Sequence, residues 1–158
     1  DGTLWGWGYQ EFGELGINDT VLRSSPVQIP GTTWNTGIGK MSSSGNTHYA
    51  VKTDGTLWAW GRNDYAGGLG QNNKINYSSP VQIPGTTWST VNAGGVGYVH
   101  ATKTDNTLWV WGADAYTSGV LGLNQGNGTN YSSPIQIPGT DWVTVTGGNL
   151  NVLSFREA

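Results

Sequence analysis

The chain has no cysteine and very little charge. Without cysteine there is no disulfide framework, no thiol nucleophile and no cysteine-ligated metal. Only 11% of the 158 residues are charged, against about a quarter in typical domains. Seven Lys and Arg, scattered along the sequence, cannot build the basic stripe that a phosphate backbone needs. Nucleic acid is therefore not an expected partner. No apolar run approaches the roughly 20 residues of a membrane-spanning helix, so no membrane partner is expected either. Disorder is disfavoured as well, because low charge is joined to many aromatics.

Glycine and tryptophan are abundant instead: 26 Gly and nine Trp, with seven Tyr. They recur with a period a little over fifty residues, the signature of a repeat architecture. DGTLWGWG at residues 1–8 returns as DGTLWAWG at 54–61 and DNTLWVWG at 105–112. SSPVQIPGTTW at 24–34 returns unchanged at 78–88 and as SSPIQIPGTDW at 132–142. All nine Trp and all six Pro fall in this scheme. The chain reads as a single repeat domain, 1–158, with repeats at about 1–53, 54–104 and 105–158.

Each repeat predicts four short strands and no helix. In the second they are 80–83, 88–91, 98–104 and 107–111. Pro80 and Pro84 exclude a helix interior and suit a sheet edge, where a missing donor costs nothing. Asp-Gly and Asp-Asn enter the Trp-rich strand through a tight turn. In TLWAW, Thr56, Trp58 and Trp60 share one face, and Leu57 and Ala59 the other. With both faces apolar, this strand must lie between two layers. Four antiparallel strands at this period point to propeller blades in an all-β fold. All nine Trp are expected in the core.

The variable segments, 9–23, 62–77 and 113–131, carry much of the charge and keep a Leu-Gly pair at Leu15, Leu69 and Leu121. They are read as surface loops, each pinned by a buried leucine. Loops on a rigid scaffold are where recognition resides. The candidate binding residues are Tyr9, Glu11, Glu14, Arg62, Asp64, Tyr65, Asp114 and Tyr116. None of the carboxylates pairs with another in a way that defines a catalytic dyad, so no catalytic residue is assigned and an enzyme is not expected. His48 and His100 align one position apart and should face opposite sides of their blades, with no converging ligands; no metal or cofactor is expected. Loop Asp, Asn and Gly lack the EF-hand pattern and are read as turn formers.

Together, DGTLWAWG, a Gly-rich loop ending in LG, SSPVQIPG and W-x-T-V resemble the regulator of chromosome condensation repeat family over the whole chain. The resemblance implies a β-propeller of four-stranded blades, commonly seven, and the uniform, weakly charged repeats resemble its bacterial or phage members. The family's namesake is a chromatin-bound exchange factor for the GTPase Ran, but no functional motif of that activity is matched here. The resulting expectation is a non-catalytic structural or protein-interaction module. Its partners would be another protein, or further copies of itself completing a six- or seven-bladed ring, within a secreted or virion-surface assembly. A carbohydrate-binding adhesin that takes glycan through loop Tyr and Asn, and an exchange factor-like protein, are the alternatives. Ungapped alignment pairs Ala158 with Thr104, so the first blade is expected to hold only its fourth strand and the last blade its first three.

Overall fold

A computed structural model describes residues 1–95, 97–114, 119–125 and 128–157. The described residues form twelve strands and no helix. They are β1 (Leu4–Gly8), β2 (Arg23–Ile29), β3 (Met41–Ser44), β4 (Thr47–Val51), β5 (Leu57–Gly61), β6 (Tyr77–Ile83), β7 (Trp88–Ala93), β8 (Tyr98–Lys103), β9 (Leu108–Gly112), β10 (Tyr131–Ile137), β11 (Trp142–Gly147) and β12 (Val152–Arg156). Two full antiparallel blades, β3-β4-β5-β6 and β7-β8-β9-β10, are flanked by the two-stranded sheets β1-β2 and β11-β12. The molecule is an arc of a propeller.

The phase of the blades corrects the expectation from sequence. The SSP strand is the last of its blade, not the first: β6 pairs back across the long loop with β5 (Leu57↔Ile83, Gly61↔Tyr77). The Pro-Gly step after it is a crossing to the next blade. The first partial blade thus holds the third and fourth strands, and the last holds the first and second. The alignment of the C-terminus shifts too. Thr53, Thr104 and Glu157 each donate their amide to the equivalent carbonyl, of Thr33, Thr87 and Asp141, at 2.8–3.0 Å. Glu157, not Ala158, therefore stands where Thr104 does. The outermost position of β2, β6 and β10 accounts for Pro26, Pro80 and Pro134, which cannot donate to a further strand.

The DGTLW motif is a small relay. Asp54 Oδ1 accepts from the Thr56 amide (2.9 Å) and hydroxyl (2.6 Å), and Thr56 Oγ1 accepts from Trp58 Nε1 (2.8 Å). The same set joins Asp1, Thr3 and Trp5, and Asp105, Thr107 and Trp109. Those hydroxyl and amide donors hold the Asp54 and Asp105 carboxyls below the usual carboxylate range.

Blades stack through their faces. Tyr49, Val51, Leu57 and Ala59 of one blade meet Trp88, Val91, Val99 and Trp111 of the next. Ile29 meets Trp34 and Trp60 at the preceding junction. The alternation in TLWAW is therefore as expected, each face serving a different neighbour. Four of the nine Trp are buried (Trp34, Trp60, Trp88, Trp111), but Trp5 and Trp7 are 50% and 62% exposed, against 2% for Trp60 and 0% for Trp111. Their strand differs from β5 and β9 only at Gly6, in place of Ala59 and Val110, on the opposite face; no blade precedes them in the structure.

Candidate functional site

The loops after β1, β5 and β9 are held by three devices. The first is the Leu-Gly pair: Leu15, Leu69 and Leu121 are buried, and Gly16, Gly70 and Gly122 turn at φ 64–70°. The second is the carbonyl just before that leucine. Glu14 O accepts from Trp60 Nε1 of the next blade (2.8 Å). Gly68 O accepts from Trp111 Nε1 of the next blade (2.7 Å) and from Tyr49 Oη of its own (2.8 Å). Val120 O accepts from His100 Nε2 (3.0 Å), and His100 takes the place of Tyr49. The third is a left-handed Asn just past the glycine: Asn18 N–H donates to Ser78 O and Asn72 N–H to Ser132 O, both at 2.7 Å. The serines of SSP are thus the landing point of the preceding blade's loop.

The candidate residues separate by burial. Tyr9, Glu11, Arg62, Asp64 and Tyr65 are exposed. Tyr9 Oη donates to a Glu11 oxygen, which raises the Tyr9 pKa. Arg62 pairs with Asp64 (2.6 Å) and lies over the Phe12 ring from the neighbouring loop (4.7 Å). The Arg62 guanidinium pKa is raised, first by that Asp64 hydrogen bond and more weakly by Glu11 and Glu14. One patch therefore spans two loops. Glu14 and Asp114 do not belong to its surface, which corrects their expected placement. Glu14 is turned inward, with Oε2 accepting from the Phe12 amide (2.8 Å). Asp114 is buried and its Oδ1 accepts from the Val120 amide (3.1 Å). It does the work of Asn63, whose Oδ1 accepts from the Leu69 amide (2.9 Å). The signal was available in the sequence, because Asn63 and Asp114 stand equally spaced from the last Trp of their strands, Trp60 and Trp111. Tyr116 lies outside the described residues.

The two His do face opposite ways. His48 stacks on Trp60 (6.0 Å between centroids), towards the preceding blade, and burial lowers its pKa. His100 faces the following side, where burial pushes its pKa down to about 4. Among the described residues no group of three His, Asp or Glu converges as a metal site.

Fold and loops together define an arc of a repeat propeller with a polar, aromatic rim. The chain belongs to the Regulator of chromosome condensation (RCC1) repeat family, which it matches over residues 1–51 and 54–97. It is similar to the mitochondrial RCC1 domain-containing protein RUG3 of Arabidopsis thaliana, with 27% identity over 92% of this chain and 33% of the relative. It is also similar to the ultraviolet-B receptor UVR8 of the same plant, with 30% identity over 87% of this chain and 30% of the relative. The chain thus spans about a third of the length of these curated relatives. Among solved structures it resembles Prp20p from Saccharomyces cerevisiae, a structure described together with binding to Gsp1p and histones. That likeness has a TM-score of 0.78 at 19% identity and covers 96% of this chain and 39% of Prp20p.

Proposed function

We propose that the chain is a non-catalytic protein-recognition module, a propeller arc that presents its rim loops to a protein partner and whose open ends are covered by further blades. The observation that carries this reading is the exposed patch of Tyr9, Glu11, Arg62, Asp64 and Tyr65, which bridges two loops through Phe12 and Arg62. Exposed Tyr and Arg on a rigid support are the residue types that dominate protein–protein hot spots. Burial of Glu14 and Asp114 supports a loop-building role for those carboxylates rather than acid–base work. The description of Prp20p with protein partners fits the same reading. The low charge and uniform repeats are the basis for placing the assembly outside the cell or on a virion surface.

The test is affinity capture with the immobilised 158-residue chain and with a Y9A/R62A/Y65A variant. A protein held by the first and released by the second is the expected result. A binder held equally by both, or no binder at all, defeats the reading. Glycan binding lost on Y65A would replace it with carbohydrate recognition.

A further inference from the structure

Several rings in this fold are covered by cations. Lys52 sits between Trp34 (4.8 Å) and Trp58 (4.0 Å), and Lys103 between Trp88 (4.8 Å) and Trp109 (4.3 Å). Arg62 covers Phe12 on the neighbouring loop (4.7 Å). Phe12 has equivalents, because an aromatic residue stands five positions after the last Trp of every repeat: Phe12 after Trp7, Tyr65 after Trp60 and Tyr116 after Trp111. The cation is not repeated. Arg62 and Ala113 occupy the same place, each following the glycine that ends its strand and each donating its amide to a turn carbonyl, of Asn46 (2.8 Å) or Gly97 (3.1 Å). Ala113 carries no charge and is buried with Ala66. Tyr65 is 63% exposed, and among the described residues no cation or ring covers it and no hydrogen bond reaches its hydroxyl.

A cavity lies beside that ring, between two complete blades. Part of its wall is bare backbone at Gly45 and Gly97, where a Cβ would meet nothing within 4 Å. Their φ of 54° and 88° favours glycine, so the turns leave the space open. At about 230 Å³ the cavity is smaller than the roughly 300 Å³ at which ligand clefts begin, and it admits one side chain. The polar side chains around it are already engaged. The Ser44 hydroxyl donates to Gly94 O and the Thr47 hydroxyl to Arg62 O (3.1 Å). Asn63 Nδ2 donates to Asn73 O (3.0 Å), and its Oδ1 accepts from the Leu69 amide (2.9 Å). A sugar, which needs several directed polar contacts, is poorly served here. Arg62 lines the cavity with its charge matched by Asp64 (2.6 Å). The three rim loops together carry five carboxylates (Glu11, Glu14, Asp19, Asp64, Asp114) against three cations (Arg23, Arg62, Lys74). The acidic surplus and the free ring face both favour a positive guest.

We propose that a partner protein seats one arginine side chain in this cavity, its guanidinium over Tyr65 as Arg62 lies over Phe12. The proposal rests on the rim-recognition reading and names the anchor within it. Arginine suits the site better than lysine, because its planar, weakly hydrated head stacks on a ring while its stem lies along the glycine turns.

The test is a phage-displayed library of short random peptides, selected on the 158-residue chain and counter-selected on Y65A. Tyr65 is exposed, so neither Y65A nor Y65F should disturb the fold. The enriched sequences should share an arginine. A synthetic peptide of that sequence should bind Y65F as it binds the native chain. It should lose about tenfold in affinity on Y65A, and as much when its arginine is replaced by citrulline, which is neutral and nearly the same shape. No enrichment, enrichment without a shared basic residue, or equal binding by Y65A or by the citrulline peptide overturns the proposal. So does a methyl glycoside that binds at Tyr65 where no peptide does. A protein partner released by Y9A/R62A/Y65A but held fully by Y65A alone also overturns this anchor, and leaves rim recognition standing.

Discussion

A single carbonyl acts as the keystone of each junction, and side chains of three kinds satisfy it. Gly68 O receives Tyr49 from its own blade and Trp111 from the next, which uses both acceptor lone pairs. Trp111→Phe keeps an aromatic ring and deletes one donor. It should cost about 1 kcal/mol in urea unfolding, the net worth of a hydrogen bond, plus whatever the smaller ring loses in packing. At Val120 the donor is His100, and here the chemistry is pH-dependent. Its Nδ1 is buried without a partner, so the imidazole is held neutral. The pKa is depressed in the fold to about 4 from 6.5. Above the ordinary value both states are neutral and nothing is lost. As pH falls from there towards about 4, only the unfolded chain gains a proton, and stability declines by about 3 kcal/mol. Burial lowers the His48 pKa too, which acts in the same sense. His100→Tyr imitates Tyr49, and a cavity lined by His100, Val120 and Ile137 gives the larger ring room. Urea midpoints followed from about pH 7 to about pH 4.5 should fall less steeply in this variant than in the native chain.

At the scale of elements, the glycine that ends each Trp-rich strand allows a tight approach that any Cβ would block. Gly112 has φ 93°, and a methyl there would strike Gly97 O. Gly112→Ala should lose upwards of about 2 kcal/mol, from positive φ and overlap together, whereas Gly8→Ala, at φ 113° with open space, carries the backbone term alone. Thermal melts of the two variants rank them. Much of this local structure could be read beforehand. The two apolar faces of TLWAW, the edge prolines and the buried Leu69 follow from side-chain period and backbone chemistry, which are local. The blade phase did not follow. β6 finds its partner β5 across a loop of 62–76, while the Pro84-Gly85 step nearby looks like a hairpin turn. Strand pairing is a non-local property, and adjacency in sequence gave the wrong neighbour. The rim was half legible for the same reason. Tyr9, Arg62 and Tyr65 are exposed, as the loop pattern predicts, but charge by itself is no sign of exposure. Glu14 and Asp114 instead turn inward, Asp114 to cap the Val120 amide.

For the whole molecule, the balance of forces at the blade junctions sets how the fold should respond to its solution. The ion pairs among the described residues, Asp19–Arg23, Arg62–Asp64 and Asp141–Arg156, each lie within one blade or its loop and do not cross between blades. What crosses is mostly indole against aliphatic, indole N–H against carbonyl, and backbone against backbone, to which the Arg62 guanidinium over Phe12 and the Lys40 ammonium on Ser89 O add cations without a carboxylate partner across the junction. These are short-range and little affected by a Debye length that shrinks with salt. Raising ionic strength from about 0.05 M to about 0.5 M should therefore leave the urea midpoint of the chain nearly unchanged, where a fold held by surface charge would lose stability.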